Sequence, residues 1–307
     1  MEKLKIAVVG FGNRGQLFAE YVLDSADAEL TAIADCNESA REKAQNEYKL
    51  APQNCYESAD EFFAQGKCAD AVFICTQDSD HKAHTIKAMQ LGYDVCLEKP
   101  IATKMQDCED IYAAQQATGH KVMICHVLRY SHFYGKLRQM IKSGDVVTIS
   151  QTENVGYWHD AHSYVRGVWS NAEKSSPMIL AKCCHDLDIL FWLYGKRCKS
   201  VSSFGGLYYF KKENAPEGAA AYCVDCNPDT RKDCPYDAFK IYNDIYKAYN
   251  PILGNATVFR TSRKDFIDGV LSQKPNTYGK CVFACDNNVV DHQVVNMLFE
   301  DDRTAQL

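Results

Sequence analysis

No run of eighteen consecutive apolar residues occurs in the chain, so no segment reads as a membrane-crossing helix. Long blocks of one charge are missing too. The 34 basic residues stand dispersed among 40 acidic ones, which leaves nucleic-acid binding without an electrostatic footprint. The N-terminus passes straight into an apolar strand rather than a signal peptide. These absences predict a soluble, cytoplasmic protein. A disulfide framework is also disfavoured. Fifteen cysteines is an odd count, and most sit inside apolar segments, so reduced and mostly buried thiols are expected. At 307 residues, two domains are expected rather than one core.

What is present is concentrated first in Lys5 to Gly15. The apolar run Ile6-Ala7-Val8-Val9 ends in Gly10-Phe11-Gly12-Asn13-Arg14-Gly15, and an amphipathic segment follows from Gln16. This is the G-x-G-x-x-G turn between a buried strand and a helix. Gly10 allows the tight turn, Gly12 lets backbone approach a pyrophosphate, and Gly15 lets helix and strand pack closely. Phe11, Asn13 and Arg14 complete the cofactor turn. Glu29 to Asp35 reads as a second strand ending in an acid twenty positions after Gly15. An acid there can accept hydrogen bonds from the adenosine ribose and repel a 2′-phosphate, which favours NAD over NADP.

Strand, helix and turn signals alternate to about residue 125, as in a right-handed, doubly wound, mostly parallel sheet. Ligands of such sheets lie beyond the carboxyl ends of the strands. Two strand ends therefore matter, Thr76 to His81 and Glu98-Lys99-Pro100. Thr76, His81, Glu98 and Lys99 are expected beside the cofactor, with His81 a packing residue of the next helix. Lys99 could hydrogen-bond a substrate hydroxyl or take its proton; an exposed loop lysine is the alternative.

Residues 126–307 read differently, as an α+β domain with a mainly antiparallel open sheet. Tyr134 to Ser143 is expected to be a helix and Val146 to Thr152 a strand. Ser176 to Tyr194 reads as one long helix with Ser176 as N-cap, Pro177 at its first position and Gly195 at its end. Lys199 to Phe210 and Gly279 to Val290 read as sheet strands, and Val294 to Phe299 with Thr304 to Leu307 as a hairpin. On the long helix, Lys182 and Asp188 flank His185 at i−3 and i+3 and share its face. A buried polar trio of this kind marks a site, or else a core histidine paired to Asp188. The aromatic, histidine-rich stretch Tyr157 to Trp169 suits a polyhydroxylated ligand, with Tyr157, His162 and Arg166 as contacts. His159-x-x-His162 has no evident further ligand. Cys223-x-x-Cys226-x7-Cys234 is an incomplete zinc set within an insertion, Lys211 to Asn250. No metal is expected at either place.

With those residues in hand, the chain resembles the glucose–fructose oxidoreductase / inositol dehydrogenase (Gfo/Idh/MocA) family. The likeness runs from the glycine turn through Asp35, Thr76 to His81 and Glu98-Lys99-Pro100 to the histidine helix. It implies a Rossmann domain, a second domain whose open sheet often serves homo-oligomerisation, and hydride transfer between NAD(P) and a sugar, cyclitol or related polyol. It further implies Lys99 and His185 as the proton-handling pair; Lys182 and Asp188 are expected on the substrate side. Two departures stand out. Many members carry an Asp four residues before the histidine, where this chain has Ala181, with Lys182 next to it. Similar members also usually continue well beyond residue 307, which implies a shortened form. Two rival readings stay open: a glycosidase that recycles its NAD, and a non-catalytic NAD-binding regulator.

Overall fold

Residues 2–142, 146–156, 160–243 and 263–307 are described by the computed structural model. Contacts divide the chain into two units, Met1–His126 and Val127–Leu307. The apolar run of the first unit is β1 (Leu4–Val9), an inner strand whose Ile6 to Val9 are all buried. Only an inner parallel strand hides successive residues on both faces. Five further strands follow: β2 (Ala28–Ala34), β3 (Cys55–Tyr56), β4 (Ala71–Ile74), β5 (Asp94–Leu97) and β6 (Val122–Ile124). They lie in the order β3-β2-β1-β4-β5-β6, every neighbouring pair parallel. One face packs Ala7, Val9, Val72 and Leu97 against Phe62, Met89 and Ile111. The other packs Val8 and Ile33 against Phe11, Ala19 and Tyr48.

Register decides what this sheet presents. Val9 pairs with Ala34 and with Ile74, Ile74 with Leu97, and Leu97 with Ile124. Gly10, Asp35, Cys75 and Glu98 consequently follow the strands at one common edge. The order reverses between β1 and β4, which is where open α/β sheets bind their ligands.

The second unit holds β7 (Thr148–Ser150), β8 (Cys198–Gly206), β9 (His292–Phe299) and β10 (Thr304–Gln306), ordered β7-β10-β9-β8. The expected hairpin is β9–β10; β8–β9 is antiparallel as well, and β7–β10 is the parallel pair. Ile141, Ile189, Leu190 and Leu193 cover Val295, Met297, Phe299 and Ala305. At the β8 edge, Val201 and Phe204 remain exposed. Among the described residues, no helix is long and apolar enough to cross a membrane.

Three expectations are corrected here. The long helix Ser176 to Tyr194 is two helices, Met178–Ala181 and Cys184–Tyr194, the latter stopped at Gly195 as expected. Between them the N–H groups of Lys182 and Cys183 both donate to the Met178 carbonyl, at 2.9 and 3.0 Å. That widened turn arises with neither Gly nor Pro, and such widened turns recur at functional sites. The strand Lys199 to Phe210 stops at Gly206, because Asp291 takes the N–H groups of Tyr208, Tyr209 and Phe210 that would extend the ladder. Gly279 to Val290 is not a sheet strand. It makes a single bridge, Lys280 to Tyr222, and its apolar run Cys281 to Phe283 is buried with Phe210, Tyr236 and Tyr242 in a separate cluster of the insertion.

Candidate functional site

The cofactor edge is built from the glycine turn outward. Gly10 has φ +90°, and a Cβ there would stand 2.5 Å from the Cys75 carbonyl oxygen. At Gly15 an added Cβ would lie 2.1 Å from the Gly10 oxygen, whereas at Gly12 it would meet nothing within 4 Å. The first helix, Asn13–Asp24, starts at Gly12 with no side-chain cap and no acid in its first turn. Its leading N–H groups and dipole therefore favour an anion. Gly15→Ala is expected to cost about 3 kcal/mol through this backbone overlap. Urea unfolding of the variant checks it, and an unchanged midpoint would count against the tight turn.

Asp35 sits across from that turn. Its carboxylate accepts the Phe11 N–H at 2.7 Å and the Asn37 N–H at 2.8 Å. Arg14 donates through Nε to Glu98 at 2.7 Å, and the buried Glu98 also accepts the Lys99 N–H at 3.0 Å. Two residues expected to touch the cofactor thus hold each other and set the backbone of Lys99. Lys99 itself is half-buried, and its bond to Pro100 is cis. The Thr76 hydroxyl meets His84 Nδ1 at 3.1 Å. His81 is 1 % exposed and spans two carbonyl oxygens, those of Thr76 (3.2 Å) and Pro100 (2.7 Å). Its ring ties the two strand-end loops together from behind.

In the second unit, the break between the two helices gathers a polar group. Lys182 pairs with Glu153 at 3.2 Å, and the His185 N–H donates to the Lys182 carbonyl at 3.2 Å. Asp188 is taken by Arg129 in a two-pronged ion pair, Nε–Oδ2 2.7 Å on one side. Asp186 is buried beside them and accepts from Gln151. Gln151, Glu153 and Cys183 also line a cavity of about 220 Å³ with Asp291, His292 and Gln293. Sequence reading missed Asp186, Glu153 and Arg129. The only local signal was the His185-Asp186 pair, which the i±3 spacing passes over.

Tyr157 and His159 lie outside the described residues. His162 and Arg166 are not brought together with Lys182; both turn into the insertion. His162 Nδ1 meets the Tyr242 hydroxyl at 2.9 Å, and its ring stacks on Tyr278. Arg166 is 5 % exposed, donating to the carbonyl oxygens of Lys280 (2.5 Å) and Tyr236 (2.8 Å). It also contacts Cys223 Sγ at 3.5 Å. Burial pushes the Cys223 thiol up to about 11. All fifteen cysteines are free, but only five are fully buried, so "mostly buried" overstated their environment. Among the described residues, no group of three or more His, Cys, Asp or Glu is arranged to hold a metal ion.

Residues 4–126 match the family model of the Gfo/Idh/MocA oxidoreductases, described as an NAD-binding Rossmann fold. The match is confined to those residues. The chain is similar to the inositol 2-dehydrogenase/D-chiro-inositol 3-dehydrogenase of Shouchella clausii, 26 % identical over 64 % of this chain and 55 % of that one. It is also similar to the 2,7-anhydro-N-acetylneuraminate hydratase of Mediterraneibacter gnavus, 24 % identical over 67 % of this chain and 53 % of that protein. The chain spans about half the length of these curated relatives. The solved myo-inositol 2-dehydrogenase of Lactobacillus plantarum shares the fold, with a TM-score of 0.64 at 15 % identity, covering 100 % of this chain and 69 % of that one.

Residues 4–126 fit the dinucleotide that the matching family model names. An uncapped helix start, open space beside Gly12 and a carboxylate pinned at the end of β2 are the features a pyrophosphate and a ribose require.

Proposed function

We propose that the chain is an NAD-dependent oxidoreductase acting on the CH–OH group of a carbohydrate, cyclitol or related polyol. The observation that carries this reading is the common edge of β1, β2 and β5, which sets Lys99 in register with the glycine turn and Asp35. Bound NAD would accept the hydride. Lys99 and His185 would handle the hydroxyl proton, and Lys182 would orient neighbouring hydroxyls. The cavity wall of Gln151, Glu153, Asp291 and His292 offers the donors and acceptors that a polyol matches. The dehydrogenase name of one relative supports the same class.

Cofactor choice is the accessible test. With its carboxylate fixed by Phe11 and Asn37, Asp35 should make NAD bind several-fold more tightly than NADP by calorimetry, and Asp35→Ser should erase the preference. Equal affinities in the unaltered protein would remove the NAD assignment. A second reading draws on the hydratase name of another relative: NAD stays bound and is recycled, so that an anhydro or glycosidic bond is opened without net oxidation. Accumulation of NADH with a free polyol supports the first reading. Cleavage of an aryl glycoside with no net NADH supports the second.

A further inference from the structure

The helix break holds a carboxyl group that the proposed chemistry does not use. Asp186 is 2 % exposed, its Oδ1 accepts from Gln151, and its Oδ2 is buried with no hydrogen-bond partner. The groups facing it come from three elements. Glu153 follows β7, Lys182 and Cys183 stand in the widened turn, and Tyr134 comes from the helix His132–Lys142. Of the charges nearest it, Glu153 is the anion and Lys182 the cation, and these two already pair at 3.2 Å. Asp188, one turn along, is matched by Arg129. Burial pushes the Cys183 thiol up to about 12 and raises the Tyr134 phenol, so neither adds charge. With the partly exposed Lys182 already paired to Glu153, an ionised Asp186 would be a buried carboxylate without a charge of its own to match it and with one oxygen unsatisfied.

We propose that Asp186 is a positioning residue kept as a neutral carboxyl, which leaves Glu153 as the anion that holds Lys182 in place beside His185. Burial first, and the Glu153 charge second, raise the Asp186 carboxyl, in agreement with this role. A neutral acid and a primary amide pair in either sense, so the Gln151 contact persists in the protonated form. The inference borrows from the oxidoreductase reading only the substrate-side role of Lys182.

Infrared spectroscopy of the chain without substrate tests it. At about pH 6, where exposed carboxyls are ionised, the spectrum should contain a protonated carboxyl band that Asp186→Asn removes. Identical spectra of the two proteins would overturn the proposal, whatever the enzyme acts on. Should Asp186→Asn fail to fold, carboxyl ¹³C resonances of the unaltered chain decide the point. One aspartate titrating above the others is expected, and all of them titrating in the ordinary range would refute it. Once a polyol substrate is known, its KM should rise several-fold with increasing pH as Asp186 ionises. In Asp186→Asn it should stay flat. The same rise in both proteins would exclude a role for this group in placing Lys182.

Discussion

Lys99→Met and His185→Ala are each expected to lower kcat by about 10²–10⁴ on whichever polyol yields NADH, the range for a positioned acid or base. Lys99 lies just past the end of β5, at the edge where the glycine turn and Asp35 also follow their strands, with its backbone fixed by Glu98. His185 stands just beyond the widened turn at Lys182. The two belong to different units, so a shared task must be demonstrated by coupling. If both act on one proton, their combined loss should be far smaller than the product of the single losses. NAD affinity should stay within a few-fold of normal in His185→Ala, since that residue belongs to the substrate side. Wild-type turnover in the double variant would place the chemistry elsewhere.

Arg166→Leu should lower the stability of the second unit by about 3–5 kcal/mol rather than weaken substrate binding. A guanidinium donating to buried carbonyls is worth about 1.5–3 kcal/mol per bond, and its removal leaves those acceptors unsatisfied. The Lys280 and Tyr236 oxygens are the two concerned. A lower urea midpoint and loss of the near-ultraviolet dichroism of the surrounding tyrosines would report it. A variant of normal stability with a raised KM would return Arg166 to the ligand, where its histidine- and tyrosine-rich neighbourhood had suggested it belonged.

That reversal shows where sequence reasoning ends. β1, β2 and β5 were legible because buried parallel strands are short apolar runs cut off by turn residues, and because the glycines have steric reasons to be glycine. The position of Glu98-Lys99 followed from the rule about strand ends. The Arg14–Glu98 pair was not legible, since the two residues are 84 apart and nothing local to either names the other. The break at Lys182 carries no Gly or Pro, and helical spacing therefore drew one continuous face through it. Cys281 to Phe283 looked like a strand because a short apolar run is equally suited to a sheet or to any other buried segment. Asp291 stopped β8 from across the sheet, a contact with no counterpart in the residues around Phe210. Direction is the common missing quantity, as sequence tells which side chains are suited to a site but not which way a loop turns them.

The Arg14–Glu98 link also bears on the order in which the first unit assembles. β1 and β2 are close in sequence and can pair early, yet Phe11 to Gly15 lies beside a partner supplied by β5. Contacts of such wide sequence separation are entropically costly to close and form late in folding. Competence to hold a dinucleotide should therefore arrive together with the completed sheet, not with the glycine motif. A nascent chain still short of residue 98 would expose that motif without its anchor, so ligand capture would report the finished fold and not its first turn.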